Sequence, residues 1–204
     1  LNLPVNYSVI TNVDYEHLDF YKNYKNLKKA FTKFINKTPT LGKSFICIDS
    51  GDLKKISNKS KNKNFLTYGF NKKANYQIIN SNYKKDYSYF DLKISLPLFK
   101  TKIIRNIKLN LIGSHNILNS VGAIALCSYI GIDLKVIKKS LKEFGGVQRR
   151  LTKVCEINGN DFFDDYAHHP TEIKSVLDSL KKSNPEKRII SVFQPHRYSR
   201  LKLL

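Results

Sequence analysis

The feature that most constrains the fold is a polar run, residues 164–172, whose first six residues hold two carboxylates and two imidazoles. Residues 161–163 before it predict a short buried strand. After it, apolar residues recur at helical spacing from Ile173 to Leu180, and Pro170 suits a first helical turn. In an open α/β sheet, a turn from a strand into a helix lies at the carboxyl edge of the strands, where ligands bind. The run therefore predicts an α/β fold with a functional site at this turn.

A second polar turn follows along the chain. Residues 188–193 form a β-branched run that predicts a buried parallel strand, and residues 194–200 would bring His196, Arg197 and Arg200 to the same sheet edge in a βαβ unit. Arginine binds carboxylates and phosphates through two hydrogen bonds at once. The simpler interpretation of the first turn, a helix N-terminus with Asp165 as its cap and solvated histidines, stays open but is weakened by this second turn.

These two turns resemble those of the Mur ligases. The string Asp-Asp-Tyr-Ala-His-His-Pro-Thr-Glu, followed by Phe-Gln-Pro-His-Arg-Tyr-Ser-Arg, is similar to the C-terminal domain of the branch that adds L-alanine. A sister branch, which ligates recycled cell-wall tripeptide, shares the first string. That branch has Glu-Pro-Arg-Ser where this chain has Gln194, Pro195, His196 and Arg197. The difference favours the alanine-adding branch.

Length and composition limit the classes of protein to which this chain can belong. The 204 residues suffice for one large or two small domains, and no apolar run is long enough to predict a membrane span or a membrane partner. The formal charge of +20 invites a basic nucleic-acid-binding module as the alternative from a different class. However, the lysines are spread over the chain and lack the aromatic interleaving of a single-strand groove, so we expect no nucleic-acid partner. Cys47, Cys127 and Cys155 lie in apolar runs, which predicts buried thiols and a cytoplasmic protein.

A predicted strand at residues 7–11 leads into a loop that carries His17 among acidic side chains. An imidazole in such a setting suits a divalent cation or a supporting hydrogen bond, although a lone loop histidine is more often solvated. The string Thr-Asn-x-x-x-x-His-x-Asp is similar to a Mur ligase segment. The resemblance implies that His17 is a ligand of Mg²⁺ near the phosphates of ATP.

Residues 113–119, Gly-Ser-His-Asn-Ile-Leu-Asn, begin a helix that is apolar all round and therefore predicted to be buried. Asn116 and Asn119 share one face of it. Their amides could recognise a purine edge or could equally cap the helix. The resemblance implies that His115, Asn116 and Asn119 contact ATP.

A hinge is predicted after the next helix, which ends at Gly145 and Gly146. We place the domain boundary there. The resemblance implies that residues 1–148 are the remainder of a P-loop-type central ATP-binding domain and that residues 149–204 are the start of a Rossmann-like C-terminal domain. Arg150 in this hinge resembles the family's ATP contact. The Gly-Lys-Ser at residues 42–44 is not a phosphate loop, because Lys37 stands where that motif needs glycine and a strand follows. The true loop is expected to precede Leu1.

The resemblance implies an enzyme that uses ATP and Mg²⁺ to join L-alanine to UDP-N-acetylmuramate through an acyl phosphate, in peptidoglycan synthesis. We expect this chain, which has no methionine, to be an internal piece that is inactive alone. An oligomeric state is not predicted. All five histidines fall within the motifs. The implied residues are Arg150, Asp165 and His168 for catalysis, His115, Asn116, Asn119, Arg150 and Asp165 for ATP, Tyr166, His168, His196, Arg197 and Arg200 for the substrate, and His17 for the metal.

Overall fold

Alternating strands and helices build a mixed sheet in the first part of the chain, as its apolar periodicity predicts. The computed structural model describes residues 4–195, so the predicted site residues His196, Arg197 and Arg200 lie outside the described residues. The sheet order is β1-β2-β3-β4-β5-β6. Its strands are β1 (Tyr7–Ile10), β2 (Lys43–Cys47), β3 (Phe65–Gly69), β4 (Tyr76–Tyr83), β5 (Ser88–Ile94) and β6 (Lys102–Leu109). The helices around it are α1 (Leu18–Tyr21), α2 (Tyr24–Asn36), α3 (Gly51–Lys59), α4 (Ser114–Tyr129) and α5 (Leu134–Glu143).

The sheet is parallel on one side and antiparallel on the other. Strands β1 to β4 pair in parallel, with Val9 opposite Phe45 and Phe45 opposite Leu66, whereas β4, β5 and β6 pair antiparallel. Helices cover the parallel strands, so Phe45 and Ile46 are fully buried, as is usual for strands that are covered on both faces. Strands β4 to β6 thus form the antiparallel part of the sheet.

Helix α4 lies directly on the parallel strands and is the predicted buried helix. Its small residue Gly122 allows the close approach, because an added Cβ would lie 2.8 Å from Val9 Cγ1 and 3.1 Å from the Tyr68 ring. Its own side chains Ile117, Val121 and Ile124 are almost fully buried. This packing fixes the start of α4 relative to the carboxyl edge of the sheet.

The second part of the chain is smaller. It contains a two-stranded antiparallel hairpin, β7 (Thr152–Ile157) and β8 (Asn160–Asp164), followed by α6 (Pro170–Ser183). The strand predicted at residues 161–163 is present, but the prediction that it is buried was wrong, because Phe162 is 49% exposed. The thiol of Cys155 on β7 is also exposed, contrary to prediction, since it lies on the paired hairpin rather than inside a covered sheet. The described residues contain no helix long and apolar enough to cross a bilayer.

The parallel strand predicted at residues 188–193 does not form. Ile190 is 74% exposed and Val192 is 97% exposed, with no regular secondary structure. A strand needs a neighbour to bond its backbone groups. In residues 4–195, β8 pairs only with β7, and no strand of the hairpin pairs with residues 188–193. The predicted βαβ unit is therefore not found in the described part of the chain.

Candidate functional site

The start of α4 contacts α6 directly, which brings two of the predicted motifs together. The Nδ1 atom of His115 lies 3.0 Å from Ser175 Oγ and 3.5 Å from Ser179 Oγ. Gly113, at the N-terminus of α4, has a φ of +100°, and a Cβ there would lie 2.3 Å from Ser179 Oγ. Glycine is therefore required at this point by both its backbone conformation and the space available. The ATP-contact motif at residues 113–119 thus packs against the helix that follows the first polar turn.

Asp165 connects the hinge to this turn through two hydrogen bonds. One carboxylate oxygen accepts a hydrogen bond of 2.6 Å from the backbone N–H of Leu151, and the other accepts one of 2.7 Å from the N–H of Ala167. Asp165 is therefore not the cap of α6, as the simpler interpretation held. The cap is His169, whose side chain accepts a hydrogen bond from the N–H of Thr171. Asp165 instead joins segments that are fourteen residues apart.

Arg150 also extends from the hinge to the turn. Its guanidinium lies 3.3 Å from Glu172 Oε1, while Glu172 Oε2 accepts a 3.2 Å hydrogen bond from the backbone N–H of His168. Burial raises the pKa of the Glu172 carboxyl, but the His168 N–H and the charge of Arg150 outweigh it, so the pKa is lowered overall. Glu172 is therefore ionised at neutral pH and holds Arg150 beside the turn.

The charges of Asp165 and Arg150 both affect the pKa of the His115 imidazole. Burial lowers its pKa below the ordinary value, with a further lowering from the guanidinium of Arg150 and an opposing effect from the carboxylate of Asp165. The ring is therefore neutral at pH 7. His115 and Arg150 contact side chains of the same helix, α6, and Asp165 lies in the turn before it.

His168 and Tyr166 lie on the outer side of the turn. His168 Nδ1 is 3.1 Å from the carbonyl oxygen of Tyr166, and the two rings meet edge to face with centroids 5.2 Å apart. Tyr166 is 53% exposed. Both side chains are thus held by local contacts while presenting polar groups near the surface of the turn.

The loop after β1 reaches the same turn through Asp14 rather than through His17. Asp14 Oδ2 lies 3.8 Å from His169 Nδ1. His17 is exposed, begins α1 with a φ of +55°, and makes no side-chain capping bond. Within residues 4–195, no group of three or more His, Cys, Asp or Glu side chains is arranged to hold a metal. Of the residues in this loop, the resemblance assigns only His17 to the metal, and a bound Mg²⁺, which prefers oxygen ligands, would take its other ligands from phosphate oxygens and water.

The two asparagines on α4 differ in their surroundings. Asn116 donates a 2.8 Å hydrogen bond from its amide to the carbonyl oxygen of Ile112, so part of its bonding capacity serves the local fold. Asn119 is exposed. The side-chain carbonyl of Asn116 and the amide of Asn119 remain as candidates for a ligand contact.

Sequence reasoning did not single out the residues that connect the two parts of the chain, namely Asp14, His169, Glu172, Ser175 and Ser179. A signal existed for three of them: His169 directly precedes Pro170, and the two serines share one face of α6 at a spacing of four residues. None of these signals alone identifies a partner, because every partner lies far away in the sequence.

Comparison with known proteins identifies the class. The chain matches the Mur ligase middle domain over residues 1–127 and the Mur ligase glutamate ligase domain over residues 149–202. It therefore belongs to the Mur ligase family. The division predicted between residues 148 and 149 stays a prediction.

The relatives point to one branch of this family. The chain is 52% identical over 202 residues to the UDP-N-acetylmuramate–L-alanine ligase of Pelagibacter ubique, covering 99% of this chain and 44% of that protein. It is 42% identical to the ligase of the same name from Brachyspira hyodysenteriae, covering 97% of this chain and 42% of the relative. The chain thus spans less than half the length of the curated relatives it matches.

Solved structures give the same fold. The UDP-N-acetylmuramate–alanine ligase of Thermotoga maritima superposes with a TM-score of 0.74 at 28% identity, covering 94% of this chain and 42% of that structure. A MurF structure from Acinetobacter baumannii superposes with a TM-score of 0.72 at 20% identity over 88% of this chain and 38% of its own, which shows the fold alone. The predicted α/β fold of the Mur ligase middle and C-terminal domains is confirmed.

Proposed function

We propose that this chain is part of an ATP- and Mg²⁺-dependent ligase that joins L-alanine to the lactyl carboxylate of UDP-N-acetylmuramate. The observation that carries the proposal is the 52% identity to the Pelagibacter ubique ligase over 99% of the chain. The contacts of His115 with Ser175 and of Arg150 with Glu172 support it, because the α4 motif and the hinge both contact α6, the helix that follows the polar turn.

In the proposed reaction, the substrate carboxylate takes the terminal phosphoryl group of ATP. The amine of L-alanine then attacks the acyl carbon, and inorganic phosphate leaves. The first step brings two anionic groups together and the second builds negative charge on the acyl oxygen, so both require cationic groups to offset the charge. Arg150 is proposed to provide such a charge. It is held by Glu172 at 3.3 Å, so its guanidinium is directed before any ligand arrives.

Nucleotide contacts are proposed for the start of α4 and for the hinge. His115, Asn116 and Asn119 would contact the base, and Arg150 and Asp165 would complete the ATP site. Asp165 already accepts two backbone hydrogen bonds, so we assign its main effect to fixing the hinge beside the nucleotide. Its two bonds leave lone pairs on the carboxylate for a ligand hydroxyl.

His17 is proposed as a protein ligand of Mg²⁺, which would neutralise phosphate charge when bound. The exposed ring and the absence of a capping bond support this role. The substrate carboxylates would be oriented by Tyr166 and His168 in the turn. The remaining proposed substrate contacts, His196, Arg197 and Arg200, lie outside the described residues. We expect the reaction to take place in the cytoplasm, without a nucleic-acid or membrane partner.

A chimeric enzyme tests the proposal. Residues 1–204 replace the matched segment of the Pelagibacter ubique ligase, which provides the rest of the fold. We expect phosphate release from ATP that requires both UDP-N-acetylmuramate and L-alanine, and no activity from residues 1–204 alone. A matched control carries the corresponding segment of the Brachyspira hyodysenteriae ligase, which is 42% identical to this chain. An inactive chimera beside an active control would overturn the proposal. A preference for cell-wall tripeptide over alanine would assign the chain to the recycling branch instead.

A further inference from the structure

His169 is a buried side chain that the proposed reaction does not use. It is 7% exposed, whereas the adjacent Tyr166–His168 face of the turn is more open. Its Nδ1 atom accepts a 3.3 Å hydrogen bond from the backbone N–H of Thr171 and so caps α6. Because Nδ1 accepts this bond, a neutral ring carries its proton on Nε2. That Nε2 atom is buried and has no hydrogen-bond partner among residues 4–195. The cap therefore uses only one of the two ring nitrogens.

The same ring faces the other part of the chain. Asp14 Oδ2 lies 3.8 Å from His169 Nδ1, and Asp14 is 155 residues away in the sequence. Asp14 also shapes its own loop, because its Oδ1 accepts the N–H of Tyr15 at 2.8 Å and its carbonyl accepts the N–H of Glu16 at 2.8 Å. His17 follows directly. The imidazole thus contacts the residue that organises the proposed metal-binding loop.

The separation of 3.8 Å is about 1 Å longer than a hydrogen bond, so a small approach of the two parts would convert the contact into a bond. The Nδ1 atom can serve one partner at a time. It either accepts from Thr171 or, with the proton on Nδ1, donates to Asp14. A contact of this kind is sensitive to the relative position of α6 and the β1 loop.

We propose that His169 is a positioning residue that, through Asp14, sets the polar turn carrying Asp165 and His168 against the loop carrying His17. The inference rests on the proposed function, which assigns the nucleotide, substrate and Mg²⁺ contacts to the turn and the loop. It predicts that the link to Asp14 matters beyond the capping of α6. A purely structural role would need only an acceptor for the N–H of Thr171.

Hydrogen–deuterium exchange on residues 1–204 tests the link without any activity. His169→Asn keeps an acceptor in the place of Nδ1, so α6 stays capped while the imidazole is lost. We expect the amides of Tyr15 and Glu16 to exchange at least about threefold faster, with the first turn of α6 unchanged. Asp14→Asn should give the same pattern at Glu16. Asp133→Ala, which removes the cap of α5, is the matched control and should leave the β1 loop unchanged. Faster exchange in α6 alone, or no change in the β1 loop, would overturn the proposal.

Kinetics of the chimeric ligase test the consequence. His169→Asn and Asp14→Asn should each lower kcat about tenfold while KM for L-alanine changes less than about twofold, because misplaced reacting groups slow the chemical step. The double variant should be no slower than either single variant, since both remove the same contact. Full activity of His169→Asn would show that capping is its whole role. An inactive unsubstituted chimera would refute the proposed function and leave the exchange result to decide the link.

Discussion

Asp165 gives the sharpest prediction about stability, because two backbone N–H groups depend on one carboxylate. The hydrogen bonds from Leu151 and Ala167 are 2.6 and 2.7 Å long and are assisted by the charge of Asp165. A hydrogen bond to a charged group contributes roughly 1.5–3 kcal/mol, and the lower value applies here because the side chain is only partly buried. Asp165→Ala should therefore lower the free energy of unfolding by about 3 kcal/mol.

Asp165→Asn separates the two bonds. The amide nitrogen cannot accept a hydrogen bond, so one of the two is lost and the expected cost is about 1.5 kcal/mol. The matched control is the adjacent Asp164→Ala. Asp164 is exposed and contacts Arg149 at 3.6 Å, so its loss should cost less than about 1 kcal/mol.

Urea unfolding, followed by circular dichroism, gives the free energy of unfolding of each of the three variants. The expected order of destabilisation is Asp165→Ala, then Asp165→Asn, then Asp164→Ala. Equal midpoints for Asp165→Ala and Asp164→Ala would refute the claim that Asp165 fastens the hinge to the turn.

Two further predictions concern the same junction. Gly113→Ala should cost about 3 kcal/mol in urea unfolding, because φ is +100° and the new Cβ would overlap Ser179, whereas the control Gly131→Ala, with φ +91° and open space, should cost about 1 kcal/mol. Equal costs would exclude a tight α4–α6 contact. The pKa of Glu172 is lowered from its ordinary 4.5, so its contribution to stability is full above that pH and is lost as the pH falls through the lowered folded value. The fall in unfolding free energy between about pH 6 and about pH 3 should therefore be smaller in Glu172→Gln; an unchanged fall would contradict the ion pair with Arg150.

Much of the fold follows from local patterns. The strand at Tyr7 and the buried helix that begins after Gly113 form as predicted, because apolar periodicity acts within one element. Pro170 opens α6 as predicted. These features need no information from distant parts of the chain.

The misassignments arise where a distant partner decides the outcome. Residues 188–193 have the composition of a buried strand, but a strand forms only beside a neighbour that bonds its backbone. Asp165 has the right side chain to cap α6, yet the N–H of Leu151 in the hinge takes one of its oxygens and His169 caps the helix instead. Competition between partners of this kind cannot be read from a single stretch of sequence.

The candidate site was predictable as a set of motifs but not as a set of contacts. The structure brings His115 and Arg150 into contact with α6, and it brings Asp165 into contact with the hinge. It connects the loop of His17 to the turn through Asp14 and His169, neither of which was a predicted site residue. Motif spacing therefore indicated which stretches matter, while the supporting residues depended on packing between α4 and α6.

The most direct test of the central claim is the rate at which the chimeric ligase incorporates labelled L-alanine into UDP-N-acetylmuramate, compared between Arg150→Ala and its neighbour Arg149→Ala. Arg150 is held at the junction by Glu172, whereas Arg149 is 71% exposed in its side chain and pairs with Asp164. We predict that Arg150→Ala loses at least about a hundredfold in rate, while Arg149→Ala stays within about threefold of the unsubstituted chimera. Equal rates for the two variants would contradict the claim that the motifs of this chain converge on one catalytic site.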